Sequence, residues 1–274
     1  MTSNGHEPPT APIPTRRIVD EVKTSTAGVS VWWTGNNGWL IRSGDALIAT
    51  DPVMEDEHRS SQAPISAAEV APLLDIVFIT HAHGDHFNHR TAHILAEQGA
   101  CLFVLPASCL ADAQRIGIPD ARIKVARPRK PFELGSVKVW PLRAIHGNAR
   151  HAVYYDANLD DCGYRLDLAG RTFLQPGDSV LLEDHLFLER VDVLFFSPTE
   201  HNTFIDASVI LINTLEPAYI LPQHRDTYHV TPENRFWTHA YPHEVKLRLP
   251  TSLQERYHIL DQGERLVIPP AEPG

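Results

Sequence analysis

Seven histidine and aspartate residues in this sequence follow short apolar runs, and their types suit them to act together on a ligand. Imidazole nitrogens and carboxylate oxygens bind divalent ions such as zinc, manganese and iron, and the absence of cysteine from these positions argues against a thiolate site. One tetrahedral ion needs fewer ligands, whereas two ions that share a carboxylate would use the whole set. The candidate ligands are His81, His83, Asp85, His86, His146, Asp178 and His224.

These residues can meet only if the strands that precede them end at the same edge of the fold. Apolar runs such as DIVFIT, residues 75–80, alternate along the chain with helical patterns. Mixed strands with helices in both halves predict an α/β fold, an αββα sandwich in which helices cover the outer side of each of two packed sheets. The carboxyl ends of several strands then converge on one rim, where the seven side chains could form one cleft.

Two helices can be placed from their end signals. Ser66 and Glu69 have the spacing of a capping box, which predicts a helix that begins near residue 67. Asn88 is a capping residue and Gly99 is a stop signal, so they bound a second helix. These helices lie on either side of the HAHGDH stretch in the sequence and would help to fix it.

The composition predicts one folded unit. A chain of 274 residues that is 43% hydrophobic can bury a full core, and we find no linker that divides it. Residues 1–28 are rich in Pro, Thr and Ser, which predicts a flexible leader, and residues 29–274 are predicted to form a single domain. The leader has no apolar signal segment and no long apolar span occurs, so we expect a cytoplasmic protein without a membrane partner.

The charge and the cysteine content narrow the range of partners. The formal net charge is −10 and the pI is near 5.9, so the field of the whole molecule repels a polyanion. The three cysteines show no CxxC spacing, which indicates reduced thiols rather than a disulfide framework. We therefore expect a small-molecule substrate and no nucleic acid, and the sequence leaves the oligomeric state open.

The order of these motifs resembles that of the metallo-β-lactamase superfamily. The HxHxDH signature stands at residues 81–86, and the later motifs match His146, Asp178 in PGDS and His224 in LPQH. Asp51 in IATDP matches the first motif of the family. The resemblance covers roughly residues 29–268. Within the superfamily the chain looks most like the branch of ascorbate-6-phosphate lactonase and N-acylphosphatidylethanolamine phospholipase D type enzymes.

The resemblance implies a division of labour among the candidate ligands. It gives His81, His83 and His146 to a first metal ion, gives Asp85, His86 and His224 to a second, and makes Asp178 the bridge. The cofactors would be two divalent ions, zinc first and manganese or iron as alternatives.

The resemblance also implies a reaction. A metal-bridged hydroxide, oriented by Asp85, would attack a small cyclic ester (lactone) or a related acyl compound that is anionic or polar. Asp51 would orient the histidine loop without binding metal.

Two further residues are predicted at the rim of the cleft. His201 follows the apolar run DVLFFSP and is a candidate donor to the substrate or leaving group, with a structural role as the alternative. Arg225 directly follows His224 and is a candidate anion contact, with a surface ion pair as the alternative. Together with Asp85, these residues form the predicted catalytic set.

Other functions fit the same ligand pattern. One is a metal-dependent phosphodiesterase or nuclease at the same site, which the acidic charge of the chain disfavours. Another is a non-catalytic metal-binding or partner-binding protein that keeps the fold, which the complete ligand set disfavours.

Overall fold

The computed structural model describes residues 16–25, 28–146 and 158–269. Its strands form two sheets, and the parallel pairs within each sheet place several strand ends at a common edge. In chain order the strands of the described residues are β1 (Val29–Gly35), β2 (Gly38–Ser43), β3 (Ala46–Thr50), β4 (Ile76–Phe78), β5 (Leu102–Pro106), β6 (Ile123–Ala126), β7 (Phe132–Leu134), β8 (Val137–Arg143), β9 (Cys162–Leu168), β10 (Arg171–Gln175), β11 (Val193–Phe196), β12 (Tyr219–Pro222) and β13 (Arg265–Ile268).

The two sheets have matching arrangements. The first runs in the order β13-β1-β2-β3-β4-β5-β6 and the second in the order β12-β11-β10-β9-β8-β7. In the first sheet β3 to β6 pair in parallel, and in the second β10 to β12 do. The remaining neighbours are antiparallel.

Short helices cover the outer faces of both sheets. None of the helices in the described ranges combines the length and apolar character needed to cross a membrane. They are α1 (Val19–Thr24), α2 (Ala67–Val70), α3 (His89–Gln98), α4 (Leu110–Arg115), α5 (Glu183–Leu186), α6 (Asp206–Leu215), α7 (Arg235–Thr238), α8 (Pro242–Leu247) and α9 (Thr251–Gln254).

Three apolar clusters define the layers. The central cluster joins side chains of the two sheets, among them Phe78 from β4 and Phe173 from β10. A second cluster packs the other face of the first sheet against α1 to α4, and a third packs the second sheet against α6, α8 and α9. The predicted αββα sandwich is therefore confirmed, because helices, sheet, sheet and helices follow one another as layers.

Local hydrogen bonds explain where α2 and α3 begin. The Ser66 hydroxyl accepts from the Glu69 amide, and the Glu69 carboxylate accepts from the Ser66 amide, which completes the predicted capping box. The Asn88 side chain accepts from the Thr91 amide at 2.9 Å and starts α3, and the Gly99 amide donates to the Leu95 carbonyl at its end. Both predicted helices are confirmed.

The predicted leader, residues 1–28, overlaps the folded part of the chain. Residues 16–25 include α1, and Ile18 and Val22 are fully buried in the cluster on the outer face of the first sheet. The Trp32 indole also donates to the Glu21 carboxylate at 3.2 Å. Packing of two apolar side chains thus adds this helix to the domain, while residues 1–15 lie outside the described ranges.

Candidate metal centre

The structure brings the seven candidate ligands together at one edge of the sandwich. His81 lies shortly after β4 of the first sheet. His146, Asp178 and His224 lie shortly after β8, β10 and β12 of the second sheet. The site therefore forms where strand ends of both sheets meet, which is the usual position of ligand sites in α/β folds.

Among the groups of residues whose ligand atoms cluster are the two trios that the resemblance assigns to separate metal ions, and a further group, His81, His86 and Asp178, draws on both trios. His81, His83 and His146 each offer a ligand atom, and these atoms lie within 4.8 Å of one another. Asp85, His86 and His224 form an equivalent group. Asp85 Oδ2 lies 3.6 Å from the Nε2 atoms of both His86 and His224.

Asp178 lies between the two groups. Its Oδ2 is 3.1 Å from His224 Nε2, 3.4 Å from His86 Nε2 and 3.5 Å from His146 Nε2, so one oxygen faces rings of both groups. Burial raises the pKa of this carboxyl group, but the surrounding imidazoles outweigh burial and hold its pKa well below its usual range. The carboxylate is ionised and lies between the two groups of candidate ligands.

The surroundings of the His86 ring nitrogens indicate that this site suits a cation. Its Nδ1 lies 2.9 Å from Asp51 Oδ2 and donates there, which leaves Nε2 as the ligand atom. Burial lowers the pKa of this ring, but Asp178 and Asp85 outweigh burial and hold the pKa well above its usual value, so a proton occupies Nε2 when no cation is bound. Within the described residues Nε2 is buried without a hydrogen-bond partner, although it points toward Asp85 and Asp178. A lone pair that faces two carboxylates requires a cation or a proton, and a divalent ion would satisfy all three groups.

Asp51 supports this arrangement from β3. Its carboxylate accepts from the Thr80 amide at 2.8 Å and the Thr80 hydroxyl at 2.7 Å, in addition to His86. The backbone of Asp51 is left-handed, with φ of 38°, which non-glycine residues adopt at a cost. Asp51 therefore fixes both the end of β4 and the orientation of the His86 ring, the orienting role that the resemblance implies.

The turn between β1 and β2 also contacts the centre, and sequence reasoning assigned it no such role. The Asn36 side-chain amide donates to the Asp85 backbone carbonyl at 2.8 Å, and the Asn36 backbone carbonyl accepts from the His224 backbone amide at 3.0 Å. The Asn37 side-chain amide donates to Asp178 Oδ1 at 3.2 Å. Two adjacent asparagines at a strand end were the available signal, because side chains there can reach the same rim.

His201 is buried inside the centre rather than at its rim. Its Nδ1 lies 3.1 Å from the Phe236 carbonyl oxygen and donates to it, which leaves the lone pair on Nε2, 2.8 Å from Asp178 Oδ2. That contact requires a proton or a cation between the two atoms. His201 also forms a ligand group with His146 and Asp178, so it is a candidate ligand, a role that the sequence did not indicate beside the predicted donor and its structural alternative.

The structure does not bring Arg225 to the centre. Its guanidinium lies 4.2 Å from the centre of the Trp33 ring and donates to the Leu260 carbonyl and the Asp226 carboxylate. His224 and Asp226 both have left-handed backbone, with φ of 59° and 51°, and this turn directs the arginine away. Instead of the predicted anion contact, Arg225 forms a cation–π contact with Trp33 and, as in the alternative, an ion pair with the exposed Asp226.

A cavity of about 330 Å³ opens beside the ligands. Phe236 and Trp237 from α7 line it, and sequence reasoning did not identify them because α7 is a single turn with no apolar repeat. In the part of the chain that the structure describes, the cavity is lined by His83, Gly84, Asp85, His146, Asp178, His201, Phe236 and Trp237.

The ionisation of three candidate ligands, His81, His83 and Asp85, suits metal binding. Burial lowers the pKa of His81 well below its usual value and also lowers that of His83, so both rings are neutral near pH 7. Burial raises the pKa of Asp85, but the effects of His86 and His224 are together larger and lower it below its usual value. This carboxyl group is therefore ionised. Neutral imidazoles and ionised carboxylates are the forms that bind divalent ions.

The chain is similar in sequence to proteins named UPF0173 metal-dependent hydrolases. The one from Pelotomaculum thermopropionicum is 25% identical over 246 residues, which cover 88% of this chain and 100% of that protein. The one from Carboxydothermus hydrogenoformans is 25% identical over 209 residues, which cover 74% of this chain and 87% of that protein.

Solved structures share the fold. Igni18, a metallo hydrolase from Ignicoccus hospitalis, has a TM-score of 0.68 at 20% identity and covers 88% of this chain and 98% of its own. An isothiocyanate hydrolase from Delia radicum gut bacteria has a TM-score of 0.66 at 15% identity, with coverages of 87% and 99%. The sequence profile of the Lactamase_B_3 family, the beta-lactamase superfamily domain, matches residues 30–224, well over half of the sequence. The chain therefore belongs to this family and has its metallo-β-lactamase fold.

Proposed function

We propose that this protein is a metal-dependent hydrolase that uses two divalent ions to open a small lactone or a related acyl compound. The observation that carries the proposal is the position of Asp178 Oδ2 between two groups of ligand atoms beside a cavity of about 330 Å³. This volume suits a small molecule. The relatives are named metal-dependent hydrolases, and these names support the same reaction class.

The residues would share the work in a definite way. His81, His83 and His146 would hold one ion, Asp85, His86 and His224 would hold the other, and Asp178 would contact both. Bound divalent ions lower the pKa of a coordinated water molecule and polarise a carbonyl oxygen.

Asp85 is the residue best suited to move the proton. Its ionised carboxylate lines the cavity and can accept a proton from the attacking water. Water then forms a bond to the carbonyl carbon, the ester C–O bond breaks, and the departing alkoxide takes up the proton that Asp85 accepted from the water. His201 also lines the cavity, where its Nε2 contacts Asp178, and it is the second candidate to give a proton to the alkoxide.

Metal stoichiometry and an Asp178→Asn variant test the proposal. Protein saturated separately with zinc, manganese or iron should hold two ions per chain by elemental analysis. Asp178→Asn should weaken binding of both ions and lower kcat/KM by at least about a hundredfold. Mutation of a residue that only hydrogen-bonds to a ligand can already lower metal affinity or activity by up to about that factor. The matched control is Asp120→Asn, an exposed aspartate that should leave both quantities unchanged.

The outcomes separate the proposed function from its alternatives. One ion at saturation, with an Asp178→Asn variant that keeps its metal and its turnover, would refute the bridge. Faster cleavage of bis(p-nitrophenyl) phosphate than of any lactone would favour the phosphodiesterase alternative. Two bound ions without turnover of any ester, lactone or phosphodiester would favour a non-catalytic metal-binding protein.

A further inference from the structure

The described lining of the cavity consists of candidate ligands, Gly84 and two aromatic residues. Apart from Gly84, the non-ligand residues in the lining are Phe236 and Trp237, both half-buried. We call these two side chains the aromatic wall. The Phe236 ring centre lies 5.9 Å from that of His201, and the Trp237 ring centre lies 6.4 Å from that of His224. The wall thus directly adjoins the reacting centre.

The segment that carries the aromatic wall is held at both ends. Tyr228 pairs with Arg59 and Ala240 pairs with Thr199 through isolated bridges. The Tyr228 ring packs against Trp237 with centres 5.6 Å apart, and its hydroxyl donates to the Asp56 carboxylate at 3.0 Å. A wall fixed in this way is preorganised, so a ligand would not have to order it on binding.

The Phe236 backbone ties the wall to the metal centre. Its carbonyl accepts from both the Nδ1 and the amide of His201, at 3.1 Å and 3.3 Å. The aromatic rings therefore have a defined position relative to Asp178, which the other ring nitrogen of His201 contacts.

No lysine or arginine belongs to the described lining of the cavity. Arg225, the cation expected from the sequence, is occupied by Trp33, Asp226 and the Leu260 carbonyl. The part of a substrate that lies against Phe236 and Trp237 would therefore meet aromatic faces. Burial of a carboxylate there without a partner would be unfavourable, whereas burial of alkyl or aryl groups is favourable.

We propose that the aromatic wall binds an uncharged apolar group, so that the substrate is a neutral lactone or ester with an alkyl or aryl substituent. This inference rests on the proposed hydrolase function and departs from the anionic or polar substrate expected from the sequence. Each methylene placed against the wall should raise affinity by about two- to fourfold, because full burial of a methylene contributes about 0.8 kcal/mol, equivalent to about fourfold.

Binding of alkyl hydroxamates to zinc-loaded protein tests the wall without requiring turnover. Affinities for acetohydroxamate, butyrohydroxamate and hexanohydroxamate, measured by calorimetry, should rise with chain length. The monohydroxamate of succinate, which carries a carboxylate at the far end, should bind more weakly than butyrohydroxamate. Equal affinities along the series, preference for the carboxylated compound or no binding of any alkyl hydroxamate would overturn the proposal.

Three variants locate the effect. Trp237→Ala and Phe236→Ala should make the dependence on chain length shallower, and Trp237→Phe should retain most of it because a ring remains. The control is Phe187→Ala, which removes an aromatic side chain that is 79% exposed and outside the cavity lining. Metal content and thermal unfolding of each variant show whether it is folded and loaded. A gradient that survives in both folded alanine variants would contradict the assignment of the wall.

Turnover distinguishes failure of this inference from failure of the proposed function. The parent protein should hydrolyse γ-octalactone with higher kcat/KM than γ-valerolactone, and both with higher kcat/KM than a carboxylated γ-butyrolactone. Hydrolysis that favours the carboxylated lactone would refute the wall but keep the hydrolase. Hydroxamates that bind as expected while no lactone or ester is hydrolysed would keep the wall but refute the hydrolase.

Discussion

Asn37 connects parts of the molecule that are far apart in the sequence. Its side-chain amide donates to Asp178 Oδ1, and its side-chain oxygen accepts from the Ser197 hydroxyl at 3.2 Å. Its backbone carbonyl accepts from the Thr50 hydroxyl and the Gln175 side-chain amide. The residue is buried, so its hydrogen bonds do not compete with solvent. This geometry makes Asn37 a positioning residue for the carboxylate between the two groups of ligands.

We predict that Asn37→Ala weakens metal binding more than it weakens the fold. The unpartnered Asp178 oxygen would allow the carboxylate to rotate, and loss of such a partner typically lowers metal affinity by about ten- to a hundredfold. Competition with a chromophoric chelator measures the affinity, and urea unfolding of metal-free protein measures stability. The exposed Asn213→Ala is the control. Equal metal affinity in Asn37→Ala and the parent would remove this role.

Local residue patterns predicted which side chains gather at the site but not every role among them. Histidines and aspartates at strand ends indicate ligands, and the structure brings all seven together. Arg225 shows the limit, because adjacency to His224 does not reveal a left-handed turn that sends the next side chain elsewhere. Asn37 shows another, because its bond to Asp178 joins residues separated by 141 positions and leaves no local pattern.

At the scale of secondary structure, elements with strong end signals were predicted and very short ones were not. The caps of α2 and α3 act within four residues of the chain and are therefore visible in the sequence. The single turn of α7 is stabilised by contacts with distant residues, including the bond from the His201 amide to the Phe236 carbonyl. Helices this short depend on tertiary packing, so their sequences carry little signal.

The α5 helix contains a buried histidine that should make the fold sensitive to acid. Burial lowers the pKa of His185 from 6.5 to about 4. Between these values the unfolded chain binds more protons than the folded protein, so stability falls as pH falls from 6.5 toward 4. The loss attributable to this group would reach about 3 kcal/mol.

Urea unfolding at several pH values measures this contribution. In His185→Gln the free energy of unfolding should depend less steeply on pH across this range than in the parent. The exposed His243→Gln should keep the parent's slope. Equal slopes for parent and His185→Gln would show that the histidine does not control acid stability.

For the whole molecule, metal binding should be coupled to folding because the ligands come from both sheets. We predict that removal of metal by a chelator lowers the Tm. Zinc at a hundredfold excess over its Kd would stabilise the folded state by about 2.7 kcal/mol, and a chain of this size shifts by about 2–4 °C per kcal/mol. Calorimetry with zinc and with EDTA measures the difference. The Asp178→Asn variant should show a smaller difference, and identical Tm values for the parent would exclude the coupling.

The pairing of β1 with β13 has a consequence for the order in which the protein can fold. Val29 lies opposite Ile268, Trp32 lies opposite Arg265, and the Arg265 side chain donates to the Ser30 hydroxyl. While the chain is being synthesised, β1 and β2 can form a hairpin early, but the outer edge of β1 stays open until residues near 265 emerge from the ribosome. An open strand edge can pair with another chain. A molecule in which residues 265–268 have not yet paired with β1 is therefore open to association with another copy along this edge, and docking of β13 closes it.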